Sequence, residues 1–429
     1  MILYNLLFPI IYLLMLPKFV FRMCRRGGYA KDFMQRFGSY RADVQSQLSG
    51  NQTVWIHAVS VGEMLVALQF AKEIRAKNDN ASFVFSTNTS TGHALAKLRK
   101  HEKDSVIYYP VDFAWAVKRA LTAINPRALL LVENEVWPNM VRQCVKRHIP
   151  VYLVNGRLSE RSAQGYSLFQ KLYSSTCGLL SGVYMQSSAD AQRMIELGVP
   201  NEIVKVYGSA KYDNASGSVN ENSDISLLLK SMGLGTTHPL LVGGSTWPGE
   251  EAVLVRILNA LQVHHPDVRL VVVPRHMERA VDASRDIAES GGHPMLRSDL
   301  KGKVIPGPKD VLIVNTTGEL ADVYGAADVI FVGKSLLARG GQNMIEPAAM
   351  GKAVVVGPHM ENFESMLEDV LAENAIVQVK DEEGLQKAIQ YLFDTPSERK
   401  GLGKRAARLV DTKKGSIAKV CEEITLSGQ

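Results

Sequence analysis

Short apolar runs alternate with amphipathic stretches from residue 53 onward, and the alternation is interrupted only once. The first series of runs is Val54–Ala58, Phe83–Ser86, Val106–Tyr109, Ala128–Val132, Val151–Val154, Val183–Met185 and Val204–Val206. Helical spacing fills the gaps, for example over Glu63–Ala76 and Trp137–Arg147. A strand–helix repeat of this kind demands a parallel sheet covered by helices on both faces. Residues 212–237 break the pattern: the run YDNASGSVNENSD is rich in turn formers and has no apolar period, so it reads as a linker. A second series follows at Leu240–Gly243, Leu270–Val273, Val311–Val314, Val329–Val332, Ala353–Val356 and Ile376–Val379. The chain has 429 residues, too many for one core. The prediction is an α/β protein of two Rossmann-like domains facing a cleft, spanning 27–212 and 238–400, with a linker region at 213–237. The charged stretch 401–429 is expected to form a helix that packs back on the first domain.

Residues 1–26 form a separate region. The first seventeen, MILYNLLFPIIYLLMLP, carry no charged side chain. As a helix they would span roughly 26 Å, a little short of a bilayer core of about 30 Å. Behind them come Lys18, Arg22, Arg25, Arg26, Lys31, Arg36 and Arg41 against the single acid Asp32, so the whole net charge of +6 sits in the first 41 residues. The rest of the chain is about neutral. A nucleic-acid binder needs its charge on the folded body, whereas a basic collar beside an apolar helix suits an anionic membrane surface. The order, apolar first and basic second, is the reverse of a signal peptide. A membrane anchor is expected, either spanning or lying in the interface, with the body in the cytoplasm by the positive-inside rule; a buried N-terminal core helix is the other reading of so short a run. The four cysteines show no CxxC spacing, so neither a disulfide framework nor a zinc site is expected.

In open α/β sheets ligands bind beyond the carboxyl ends of the strands, which directs attention to the residues just after each run. VSVGE (59–63) ends in Glu63 at a helix start; this acid either serves as a general base or complements the helix dipole. ENEVWPN (133–139) opens with Glu133 and Glu135, acids that either cap a helix or face a ligand. GSAK ends in Lys211, able to offset negative charge beside the linker. PRHMER places Arg275 and His276 at a helix start; the Arg suits an anionic group or a nucleotide base, and His276 either joins it or is a structural histidine. NTTGEL holds Thr317, Gly318 and Glu319, either a ligand-approaching turn or an N-cap by Thr317. Gly340–Gly341 precede Asn343, Met344, Ile345 and Glu346; exposed amides there can hold a phosphate and Glu346 a ribose. No Walker A, HExxH, GxSxG or DxD-like metal pair occurs, which argues against an NTPase, a zinc protease or an α/β-hydrolase.

Taken in order, WIHAVSVGE, ENEVWPN, GSAK, PRHMER, TGEL and GGQNMIEPA…GKAVVVGPHMENF resemble the transferases that attach Kdo (3-deoxy-D-manno-oct-2-ulosonic acid) to lipid A precursors. The resemblance runs from about Arg36 to Phe363. It implies a GT-B fold, an acceptor-binding first domain and a second domain binding CMP-Kdo. It implies an inverting reaction with no metal and no cofactor, a lipid A precursor (lipid IVA-like) as acceptor, and a place at the inner membrane among its lipids. By motif, Glu63 would be the base, and Glu133 and Lys211 would stabilise the transition state. CMP would be held by Pro274, Arg275, Thr317, Gly318, Glu319, Asn343, Met344, Ile345 and Glu346. Gln342 stands where the family usually has His, and Asn134 where it commonly has Thr. A GT-B relative using another nucleotide sugar, or a sugar-nucleotide epimerase, would share the fold but is not expected to share the VSVGE and ENEVWPN pair. A non-catalytic membrane-bound module is the third alternative, and the joint presence of Glu63, Glu133 and Lys211 speaks against it.

Overall fold

The computed structural model describes residues 1–26, 32–48, 53–213, 215, 219–300 and 306–424, with side chains through residue 17 in the first segment. Lys18, Arg22, Arg25, Arg26 and Lys31 of the expected collar therefore lie outside the described side chains. Arg36 does not belong to that collar. It is buried, its guanidinium donates to the Asn88 carbonyl at 3.0 Å, and it stands 4.7 Å over the Tyr108 ring.

The chain divides into two compact units, Met1–Ala210 with Gly415–Gln429, and Lys211–Lys414. The first holds β1 (Thr53–His57), β2 (Ser82–Thr87), β3 (Ser105–Tyr108), β4 (Ala128–Val132), β5 (Val151–Gly156), β6 (Gly182–Met185) and β7 (Val204–Val206). They form one parallel sheet in the order β3-β2-β1-β4-β5-β6-β7. Side chains alternate across it, as the period of two requires. Trp55, Leu129, Leu131 and Leu153 enter a core with the helices Ala114–Ile124 and Pro138–Val145. Val54, Ile56, Leu130 and Val132 enter another with Met64, Ala67 and Phe70 of the helix Val61–Lys77. Each such side chain contributes roughly 1.5–3 kcal/mol on burial.

The N-terminal helix Ile2–Arg26 lies against this unit by one face. Phe8 meets Phe113 and Trp137 edge-on at 5.6 and 6.0 Å, and Tyr12 meets Phe113 at 5.4 Å. Among its described side chains, through residue 17, large apolar ones are exposed: Ile2, Leu3, Leu6, Ile10, Leu13 and Leu14. Among the described residues no helix is long and apolar enough to cross a membrane.

The second unit repeats the plan with β8 (Leu240–Thr246), β9 (Arg269–Pro274), β10 (His293–Leu296), β11 (Asp310–Ile313), β12 (Val329–Val332), β13 (Ala353–Val356) and β14 (Val377–Gln378), in the order β10-β11-β9-β8-β12-β13-β14. Leu240, Val242, Ile330 and Val332 fill one face, and Leu241, Leu270, Val272 and Phe331 the other. Two expectations change here. The region read as linker contains the helix Asp224–Ser231, capped by Ser223 and anchored in the core by Ile225 and Leu229. The C-terminal stretch is two helices rather than one. Pro396–Lys413 packs in the second unit through Leu402, Ala406 and Val410. Gly415, at φ 89°, then turns the chain, and Ser416–Glu423 lays Ile417, Val420 and Cys421 on the first unit's core.

Candidate functional site

In both sheets the strand order reverses direction beside a central strand, between β1 and β4 in one and between β8 and β12 in the other. Such switch points leave a crevice at the carboxyl ends of the strands. Backbone strain collects there. Among the described residues seven non-glycine residues have positive φ; four of them, Glu133, Asn155, Ser245 and Lys334, lie at the ends of β4, β5, β8 and β12. Left-handed backbone costs a side-chain-bearing residue about 1–3 kcal/mol and persists where the surroundings impose it.

In the first unit the turn after β1 forms a capping box. Ser60 Oγ accepts the Glu63 N–H at 3.2 Å; Glu63 Oε2 and Oε1 accept the N–H groups of Val59 and Ser60 at 2.8 and 3.2 Å. The carboxylate is thus a helix cap in fact as well as a base candidate. It has about four acceptor directions, so two remain for other work. Across the switch point, Glu133 opens the turn after β4 at φ 63°, its N–H donating to the Val154 carbonyl. Asn134 Oδ1 accepts from the Tyr173 hydroxyl at 3.0 Å, and Glu135 Oε2 from the Trp137 indole N–H at 3.0 Å.

His57, the last residue of β1, went unmarked in the sequence because it sits inside an apolar run. It is fully buried, stacked on Tyr109 at 3.6 Å, and its Nδ1 is 3.0 Å from the Ser86 carbonyl. Its Nε2 is buried without a hydrogen-bond partner, 3.9 Å from Glu135 Oε2. Asn155 is a second such residue: its Oδ1 accepts the Ala210 N–H at 3.0 Å and so fixes the backbone just before Lys211.

Lys211 itself is the first residue of the second unit, where its ammonium lies 4.7 Å over the Phe363 ring and 3.5 Å from the Asn362 carbonyl. After β9, the Arg275 N–H donates to the Thr246 carbonyl at 3.1 Å, and its side chain is exposed. After β11, Thr317 and Gly318 are exposed, the latter at φ 87°. Thr317 is not the cap of the next helix; the neighbouring Thr316 hydroxyl donates to the Glu319 carboxylate, and Arg297 approaches the same carboxylate at 3.8 Å. After β12, Gly340 and Gly341 take φ 114° and 67°. A Cβ on Gly341 would come within 2.4 Å of Met360 Sδ, so close packing as well as conformation calls for glycine. Asn343 is exposed and its Oδ1 accepts the Ile345 N–H. Met344 and Ile345 are fully buried in the core; their side chains serve packing, which leaves backbone as what they could offer a ligand. Burial pushes the Glu346 carboxyl above its ordinary range. Among the described residues no group of three or more His, Cys, Asp or Glu side chains is placed to hold a metal ion.

Glu250 holds this second region together. Fully buried, its carboxylate accepts N–H groups from Trp247, Lys334, Ser335 and Leu336 at 2.8–3.2 Å. Burial raises its pKa and those backbone donors work against the rise.

Residues 31–214 match the family model described as 3-deoxy-D-manno-octulosonic-acid transferase (kdotransferase). The chain is similar to the 3-deoxy-D-manno-octulosonic acid transferase of Haemophilus influenzae, at 27% identity over 92% of this chain and 91% of that protein. Among solved structures it is similar to the Anabaena protein HepE in complex with UDP (TM-score 0.57, 14% identity, 86% and 98% of the two chains). It is also similar to UDP-GlcNAc 2-epimerase from Neisseria meningitidis (TM-score 0.58, 13% identity, 84% and 99%). At such identities those two establish a two-domain, GT-B-like fold and nothing further. The 3-deoxy-D-manno-octulosonic acid transferase of Bordetella pertussis is 32% identical over 90% of this chain and 89% of its own, and the protein therefore belongs to the 3-deoxy-D-manno-octulosonic acid transferase family of glycosyltransferases.

Proposed function

We propose that the protein transfers Kdo from CMP-Kdo to a lipid A precursor in lipopolysaccharide synthesis, at the cytoplasmic face of the inner membrane. Glu63 is the general base. The acceptor hydroxyl gives its proton to the Glu63 carboxylate as its oxygen bonds to the anomeric carbon of Kdo. The bond from that carbon to the CMP phosphate breaks, and CMP leaves with the electron pair, inverting the anomeric centre. The developing phosphate charge is met by Arg275 and Lys211, and Glu133 stabilises the cationic character of the sugar. No metal or cofactor is required in this scheme. The CMP moiety is held by Pro274–Arg275, Thr317–Glu319 and Asn343–Glu346, with Glu346 available to the ribose hydroxyls.

The observation that carries this reading is the Glu63 turn: a carboxylate at a sheet's switch point, fixed by its own cap and retaining acceptor capacity. A helix whose described side chains expose large apolar residues supports attachment to lipid, either lying in the interface or spanning. The basic residues that follow suit the anionic headgroups there.

The test incubates the protein with CMP-Kdo and lipid A precursor, with and without excess chelator, and weighs the lipid. The expected result is a mass gain of one or more Kdo residues, equal release of CMP, and no loss in chelator. Release of UDP from a uridine nucleotide sugar, with no gain from CMP-Kdo, would replace the donor and move the protein to the alternative reading.

A further inference from the structure

Asp112 is a buried carboxylate with no part in the scheme above. It sits in the loop between β3 and the helix Ala114–Ile124, yet its partners lie elsewhere in the first unit. Oδ1 accepts the Met140 N–H at 2.8 Å, and Oδ2 the Asn139 N–H at 2.9 Å. These amides open the helix Pro138–Val145, which has no side-chain cap of its own: its N-cap is Trp137, and Pro138 carries no N–H. Asp112 is thus a cap supplied from another loop, its oxygens accepting the first amides of the helix. The turn it closes, residues 133–137, carries Glu133 and Glu135.

Oδ2 also accepts the carboxyl group's third hydrogen bond, from the hydroxyl of Tyr4 in the N-terminal helix at 2.8 Å. One residue on, Asn5 Oδ1 accepts from Asn139 Nδ2 at 2.8 Å, and that amide also donates to the Asp112 carbonyl at 2.6 Å. One turn further, Phe8 packs on Trp137 and Phe113. Tyr4, Asn5 and Phe8 share a helix face, and that face grips both sides of the acid-bearing turn. A hydroxyl and an amide dedicated to buried polar partners are not what a helix in hydrocarbon presents. Burial pushes the Asp112 carboxyl up to about 7 in spite of its donors, so the fold keeps this group at a cost.

We propose that Asp112 and Tyr4 are positioning residues that couple the seating of the N-terminal helix on lipid to the geometry of the Glu133–Trp137 turn. The helix is then part of the acceptor side of the enzyme as well as its attachment. A helix pulled away from the body would remove the Tyr4 bond and the Phe8–Trp137 contact together, and the turn would lose the partner that holds it. This rests on the Kdo-transfer reading above, in which that turn serves the acceptor.

The experiment compares full-length wild type with Y4F and D112N, measuring kcat and both KM values with CMP-Kdo and lipid A precursor in mixed micelles, and thermal midpoints. Y4F removes one hydroxyl and is the variant that keeps the question open should D112N fold poorly. The expected result for Y4F is a fall of about tenfold in kcat/KM for the acceptor, the scale of one hydrogen bond. Donor KM should stay within about twofold and the thermal midpoint should be unchanged. Unchanged acceptor kinetics in Y4F would overturn the coupling. So would an equal loss in donor and acceptor terms with a lowered midpoint, the mark of a merely structural contact. A wild type that does not transfer Kdo at all would sink the functional reading instead.

Discussion

Two carboxylates occupy the same topological place in the two sheets. Glu63 lies in the first turn of the helix after β1 and Glu250 in that of the helix after β8, and each strand lies beside the point where its sheet changes direction. Glu63 accepts two N–H groups, both from its own turn, and is half-buried. Glu250 accepts four, three of them from the loop after β12, and is fully buried. A carboxylate saturated by amides is a structural tie: its lone pairs are occupied, and removing it strands several buried donors. One held only by a local cap is fixed in direction and still able to take a proton. Glu63 is the third residue of its helix and Glu250 the first, and what packs around each acid differs accordingly.

The largest effect expected from that contrast is on activity. E63Q should lower kcat by about 10²–10⁴, the span of general-base catalysis. Glutamine keeps an acceptor for the cap, so the loss of stability should stay near or below about 1 kcal/mol. Single-turnover CMP release and a urea titration measure the two; full activity in E63Q would remove Glu63 from the role. E250A should do the reverse. Stranding the amides of Trp247, Lys334, Ser335 and Leu336 should cost roughly 3–5 kcal/mol of stability by the penalty for unsatisfied buried donors. Activity lost in E250A should return in proportion to the folded fraction at low temperature. A stable but inactive E250A would erase the distinction between the two acids.

A smaller effect separates Asp112 from both. Its pKa, about 7 when folded against 3.8 ordinarily, is raised first by burial. Between those values the folded state binds the extra proton, so this contribution to stability is fully present below about 3.8 and is lost as pH rises through about 7. Neighbouring Tyr4 and Tyr109 are themselves pushed upward by burial and stay neutral across that window. Thermal midpoints of wild type and D112N, compared across pH 4 to 8, should therefore converge toward the upper end if other groups titrate alike in both. Parallel curves would show that the proton on Asp112 does not matter to folding.

The scaffold was legible because parallel strands buried on both faces read as unbroken apolar runs, and these runs match strands in both sheets. The strand that escaped, β10, begins His293–Pro294 at a sheet edge and is only partly buried, so it lacks that signature. The helix Asp224–Ser231 escaped because a polar run leads into it and its buried positions are few. The acids after β1 and β4 stood out because charge directly after an apolar run is conspicuous. Glu250, Asp112 and His57 did not. Asp112 acquires its meaning from amides at 139 and 140, and Glu250 from amides at 334–336, separations that no local pattern records. Met344 and Ile345 show the converse: a motif drew attention to side chains that the fold uses for packing.

The smallest expected effect concerns Gln342, in the loop whose root Glu250 holds. The residue is half-buried, between Gly341 at φ 67° and exposed Asn343. Glutamine and histidine both offer a donor and an acceptor at similar reach, but only histidine changes charge near neutrality. If the loop contributes hydrogen bonding alone, Q342H should keep kcat/KM within about twofold at pH 8, where an ordinary histidine of pKa about 6.5 is neutral. Below that value the new positive charge would add to the part proposed for Arg275 and Lys211 in holding an anionic donor, so donor KM should fall as pH drops from 8 to 6 in Q342H relative to wild type. The comparison is a ratio of donor KM values at the two pH values, which cancels changes in the base. A flat ratio would place the side chain away from the donor's charge and leave the loop's role to its backbone, as the tie from Glu250 already suggests for the residues at its root.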